Sequence, residues 1–197
     1  MNMSSTFKIK NIEAFDVVLA SQSPRRKELL SNLGIEFSIQ TVDVEESFPT
    51  SLRANEIVEY LAKKKADAFP IKPNQLVITA DTIVWHNNQL FGKPENAEQA
   101  KEMLLQLSGN THEVFTGVGI TTTNKQHIFS VRSEVTFSKL SQEEIMHYID
   151  VYQPYDKAGA YGIQEWIGFV GIESISGSFW NVMGLPIQRL YKELQQF

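Results

Sequence analysis

The 197-residue chain is 42% hydrophobic and 21% charged, and its 18 Lys and Arg against 23 Asp and Glu leave a formal net charge of -5. That length and apolar content fit one domain or two intimate subdomains with a proper core, and exclude a disordered or collagen-like chain. The acidic balance argues against a basic surface for long polynucleotides. The absence of cysteine excludes disulfides, Cys-ligated metal sites and a thiol nucleophile, and fits a reducing cytoplasm.

Residues 1–12 are polar, lack the apolar stretch of a signal peptide and read as a loosely held extension. No uninterrupted apolar run approaches the roughly 20 residues that span a bilayer, so the chain reads as soluble. Phe15 to Ala20 is a short strand rich in β-branched residues. Ser23 and Pro24 then sit at the N-cap and first position of a helix that carries leucines at 29, 30 and 33 and stops at Gly34. Residues 36–42 alternate as a strand, and Arg53 to Phe69 has helical periodicity ended by Pro70. Leu76 to Trp85 reads as a central strand, turned at Asn87-Asn88 into a short partner. Ala97 to Leu107 is helical, and His112 to Thr123 and Gln126 to Ser138 form a hairpin. Ser141, with Glu144 three residues on, opens a capped helix to Tyr152. The segment from Pro154 to Pro186 is rich in glycine and aromatic residues and suggests tight turns and close backbone approach. A final helix covers Pro186 to Gln196. Helices alternating with strands early and hairpins later predict an α/β fold on a mixed sheet.

Ser21-Gln22-Ser23-Pro24-Arg25-Arg26 places two hydroxyls and two guanidiniums at a helix N-terminus, where free N–H groups favour a phosphate-rich anion. The same residues also suit an ordinary capped helix with solvated arginines, and spacing does not choose between the two. Neither a Walker A loop nor Gly-x-Gly-x-x-Gly occurs. Asp81 interrupts an apolar strand, where a carboxylate is costly unless paired, hydrogen-bonded or metal-bound; it is a candidate base or metal ligand, or a strand-end cap. Glu45 and Glu46 could add a carboxylate or form a solvated acidic loop. Lys65, Lys93 and Lys157 suit phosphate binding, or snorkelling and solvated loop charge. The four histidines, His86, His112, His127 and His147, lack metal-ligand spacing and read as structural or surface residues. The aromatic residues from Tyr161 to Trp180 fill core, or one of them stacks on a base.

In this order along the chain, SQSPRRKELL, Glu46, LAKKKA with Lys65, ADT at 80–82, GKP at 92–94, LSGNTHEVFTGV at 107–118, DKAGAYGIQ at 156–164 and MGLP at 183–186 resemble the Maf family of nucleoside triphosphate pyrophosphatases. The likeness runs from about Asp16 to the C-terminus with no departure among the motif residues. It implies a single Maf-like catalytic domain over 13–197, with a mixed, strongly twisted sheet flanked by helices, two lobes and a deep cleft, as in the Maf/ITPase-like folds. It also implies a chain often found as a homodimer. The implied reaction is hydrolysis of a nucleoside triphosphate to the monophosphate and pyrophosphate, assisted by Mg²⁺ or Mn²⁺.

Carried over by motif, the resemblance makes Asp81 the catalytic base and gives Ser21, Ser23, Arg25, Arg26, Lys65 and Lys93 to the phosphates. It gives Glu46 and Asp81 to the metal. Arg26, Thr82 and Gln164 match positions that mark the branch acting on dTTP and UTP. No polynucleotide or membrane partner is implied. Alternatives are action mainly on modified pyrimidine nucleotides, a metal-dependent phosphomonoesterase, and a nucleotide-binding regulator of cell division.

Overall fold

The structure, a computed structural model, describes residues 9–197; residues 1–8 of the expected extension lie outside the described residues. The end of that extension is packed. Ile9 and Ile12 are buried around a 3-10 turn at Lys10–Ile12, and Asn11 Nδ2 donates to the Gln195 carbonyl at 2.5 Å.

Strand β1 (Asp16–Leu19) leads through α1 (Pro24–Asn32) to β2 (Ser38–Ile39), then through α2 (Ala54–Ala68) to β3 (Gln75–His86) and β4 (Gln89–Phe91). Helix α3 (Ala97–Leu107) precedes β5 (Thr111–Thr121) and β6 (Gln126–Phe137), followed by α4 (Gln142–Tyr152), α5 (Trp166–Gly171), β7 (Ile172–Ser176), α6 (Phe179–Val182) and α7 (Ile187–Gln196). Among the described residues the sheet runs β2-β1-β3-β5-β6-β7, with β4 also paired to β3. β1 is parallel to both neighbours, with Val18 opposite Ser38 and Val77; β3–β4 and β6–β7 are antiparallel. The sheet is therefore mixed, as the element order predicted. Asn87 and Asn88 both take positive φ (49° and 60°), the conformation that a tight two-residue hairpin requires.

Local chemistry explains most boundaries. Ser23 caps α1 with Pro24 behind it, Glu56 Oε2 accepts the Arg53 N–H (3.0 Å) at the start of α2, and Ser141 and Glu144 exchange hydrogen bonds at the start of α4. The expected strand over 36–42 is reduced to two exposed residues. The backbone bond from Gln40 N to Leu19 O (3.3 Å) falls where β1 ends, so little further template remains for pairing. The Gly- and aromatic-rich stretch, read only as turns, also forms α5, β7 and α6.

The described residues form two compact units. The first takes in residues up to Asp81 with Thr116–Val131 and Gly184–Phe197; the second takes in Thr82–Phe115 and Arg132–Met183. In the first, Val18, Phe69 and Val77 form one core cluster, and α2 buries Ile57, Val58, Leu61, Ala62 and Ala66. In the second, Leu104 and Leu107 of α3 and Ile145, Tyr148 and Ile149 of α4 are almost wholly buried. No described helix is long and apolar enough to cross a membrane.

Candidate active site

The first unit assembles its polar residues at the ends of β1 and α1, on α2 and on β3. After β1 the chain turns at Ser21, whose Oγ accepts from the Ser23 N–H (3.2 Å) and from Arg26 Nη1 (3.3 Å). Ser23 Oγ accepts the Arg26 N–H at 3.4 Å, the usual capping contact. The Arg26 side chain folds inward: Nε donates to the Gly184 carbonyl (2.8 Å) and Nη1 to the Ala80 carbonyl (2.9 Å). Burial pulls this guanidinium below its usual range; Asp81 opposes that shift, Arg25 deepens it and Glu46 opposes it. One side chain thus ties the turn before α1 to the residue preceding Asp81.

Asp81 is only 8% exposed on β3, and Lys65 reaches it from α2. Lys65 Nζ lies 2.5 Å from Asp81 Oδ1 and 2.7 Å from Glu46 Oε1. The costly strand carboxylate is therefore paired, and of the two acidic candidates at 45 and 46 it is Glu46 that reaches the site. Lys65 follows Val58 and Ala62 along one face of α2, and both of those are fully buried. Thr79 Oγ1 donates to the Ala62 carbonyl at 2.8 Å, fixing the helix to β3 two residues before Asp81. Gly117 of β5 lets the helix backbone approach, since a Cβ there would lie 2.2 Å from the Val58 carbonyl oxygen. The lysine's position is a consequence of backbone packing.

Of the remaining sequence candidates, Thr82, Lys93, Lys157 and Gln164 lie in the second unit. Thr82 is half-buried on β3, Lys93 is exposed after β4, and the Gly92 carbonyl accepts the Gly159 N–H at 3.0 Å. Lys157, 8% exposed, is paired with Asp156 (2.7 Å) and Glu165 (3.1 Å). Gln164 is half-buried, and its Oε1 is covered without a hydrogen-bond partner. His112 Nε2 meets Tyr161 Oη at 2.8 Å and its ring stacks on Phe137. His86 meets the Thr111 carbonyl, His127 meets Glu193, and His147 packs edge-on against Trp166. The histidines are structural in these contacts. Among the described residues no group of three or more His, Cys, Asp or Glu side chains converges.

Residues 16–197 match the family described as Maf-like protein. A dTTP/UTP pyrophosphatase of Bacteroides thetaiotaomicron is 56% identical over 189 residues, covering 94% of this chain and 98% of that protein. One from Phocaeicola vulgatus is 55% identical over 191 residues, covering 95% and 99%. A solved HAM1 protein from Coxiella burnetii is similar in fold, with a TM-score of 0.51 at 16% identity over 93% of this chain and 100% of that one. The chain belongs to the Maf family.

Proposed function

We propose that the chain hydrolyses dTTP and UTP to the nucleoside monophosphate and pyrophosphate. The observation that carries the chemistry is the ammonium of Lys65 set between Asp81 and Glu46, next to a helix N-terminus tied to the same strand by Arg26. Water attacks the α-phosphorus, the bond from that phosphorus to the bridging oxygen breaks, and pyrophosphate leaves. Asp81 orients the water and takes its proton, while Lys65 answers the charge that develops on the phosphoryl oxygens. Ser21, Ser23, Arg25 and Lys93 bind the phosphates. Arg26, with Nε and Nη1 on carbonyl oxygens, contributes its charge and holds the turn in place.

Glu46 and Asp81 offer hard carboxylate oxygens, the donor type that Mg²⁺ and Mn²⁺ prefer. Two carboxylates make no all-protein cage, but Mg²⁺ is commonly held by one or two carboxylates plus substrate phosphates, so the residues fit a cation that arrives with the nucleotide. Glu46 and Asp81 would hold it, and when bound it neutralises part of the triphosphate charge. Gln164, whose amide can donate and accept at once, reads the pyrimidine together with Thr82.

The test is a panel of nucleoside triphosphates with Mg²⁺, products identified by phosphorus NMR, with Asp81→Asn alongside. The expected result is pyrophosphate and monophosphate from dTTP and UTP. Turnover should fall about 10²–10⁴-fold in the variant, the usual contribution of a positioned base, while binding of a non-hydrolysable UTP analogue survives. Release of orthophosphate and a diphosphate would overturn the reading, as would unchanged turnover in Asp81→Asn.

A further inference from the structure

Residues 156–165 of the second unit form an irregular loop, yet a single buried hydroxyl grips it from two sides. Tyr148, on the inner face of α4, is completely buried. Its Oη accepts the Gly162 N–H at 2.9 Å and donates to Glu165 Oε2. The other carboxylate oxygen of Glu165 lies 3.1 Å from Lys157 Nζ, which also meets Asp156 at 2.7 Å. Gln164 stands between the two residues that Tyr148 holds. The Glu165 and Lys157 side chains close over Gly162, where a Cβ would lie 2.7 Å from Glu165 Cδ and 3.0 Å from Lys157 Cε. Burial raises the Tyr148 phenol above its usual range and the neighbouring Glu165 carboxylate raises it further, so the hydroxyl keeps its proton as a donor.

We propose that Tyr148 is a positioning residue for nucleotide selection: its hydroxyl fixes Gly162 and Glu165 and thereby sets the placement of Gln164. The inference rests on the reading of Gln164 as the residue that recognises the base. The hydroxyl's two hydrogen-bond partners, the Gly162 N–H and the Glu165 carboxylate, both belong to the loop, so its role is to order the loop. Loss of the hydroxyl leaves the buried Gly162 N–H and a partly buried Glu165 carboxylate oxygen without their shared partner, and both relax by moving the loop. A displacement at a group that recognises through oriented hydrogen bonds alters discrimination between bases that differ in donor and acceptor pattern.

The test compares kcat/KM for UTP and CTP in the wild type, Tyr148→Phe, Gln164→Ala and the double variant, with thermal melting to confirm folding. Tyr148→Phe is expected to reduce the UTP:CTP ratio about tenfold, mainly through KM for UTP, with kcat for UTP within about threefold. In the Gln164→Ala background the same substitution should leave the ratio unchanged, because both act through one group. Glu165→Gln, which keeps an acceptor for the phenol, should retain most of the discrimination and serves if Tyr148→Phe does not fold. Uniform losses for both nucleotides with an intact ratio would assign Tyr148 to stability alone and overturn the inference. If Gln164→Ala itself leaves the ratio intact, it is the base-reading role of Gln164 that fails.

Discussion

Gly117 passes so close to Val58 that a Cβ on the glycine would sit 2.2 Å from the Val58 carbonyl oxygen and 2.4 Å from its carbonyl carbon. The obstacle is backbone, so no rotamer change relieves it. Gly117→Ala must push α2 away from β5, and overpacking of this kind typically costs 1–3 kcal/mol and occasionally more. The same displacement carries Lys65 off Asp81. Urea unfolding should show the lost stability, and the residual folded protein should have reduced kcat. Wild-type stability in the variant would mean that the two elements can separate freely.

Removal of divalent cation with a chelator should abolish turnover, and Mg²⁺ or Mn²⁺ should restore it. Because Glu46 reaches the site through an exposed loop and is one of two carboxylates there, Glu46→Gln should raise the cation concentration for half-maximal activity about tenfold, in the range of lost ligand contacts. Asp81 would retain part of the affinity. A cation dependence identical to the wild type would remove Glu46 from that role.

Arg26→Lys keeps the charge and loses the fork. A single ammonium cannot reproduce Nε on the Gly184 carbonyl together with Nη1 on the Ala80 carbonyl. The expected outcome is a fall in kcat of tenfold or more, accompanied by a stability loss of about 1–3 kcal/mol as two buried carbonyls lose their guanidinium donors. A circular dichroism melt and steady-state kinetics on the same preparation separate the two. Full activity in the lysine variant would show that charge alone suffices.

His112 gives the protein an acid limit. Desolvation, with a smaller repulsive contribution from His86, pushes its pKa down to about 3 from the ordinary 6.5. Between those values the unfolded chain binds a proton that the folded chain refuses, so stability from this residue is whole above about pH 6.5 and declines as pH falls toward 3. One titrating group gives a slope of about 1.4 kcal/mol per pH unit in that window. His112→Phe should cost stability at pH 7, by removing the partner of Tyr161 Oη, yet flatten the acid limb of the urea midpoint. An unaltered acid limb would assign the pH dependence to other groups.

The sequence was legible wherever a side chain acts through local chemistry. Ser23 and Pro24, Ser141 and Glu144, and the Asn87-Asn88 turn mark their elements by capping and by positive φ, and all three stand where the pattern placed them. The pairing of Asp81 was foreseeable because a carboxylate in an apolar strand needs a partner; that the partner is Lys65, itself shared with Glu46, depends on how α2 lies against β3. Helix α5 is not legible in the sequence, because WIGFVG has neither good propensity nor an amphipathic repeat. Its Gly168 lies where a Cβ would meet the Ile163 carbonyl at 1.9 Å, a close approach to the turn just before the helix that residue propensity does not record. Tyr148 was hidden for a similar reason. At three residues from Ile145 and one from Ile149 it reads as core, and only the partners of its hydroxyl distinguish it from phenylalanine. The Arg26 side chain likewise reads as a surface cation until its two carbonyl acceptors are seen.

The two units are interleaved along the chain, which leaves one and enters the other after Asp81, Phe115, Val131 and Met183. Neither is therefore a continuous stretch that could be excised, swapped or duplicated as a genetic cassette. A single backbone cut in the β5–β6 hairpin or before α7 severs the first unit into pieces that only non-local contacts hold, and that unit is incomplete until α7 joins it. Contacts between segments so far apart in sequence carry a loop-closure cost and form slowly, so docking of α7 is expected to be a late step in folding of the first unit.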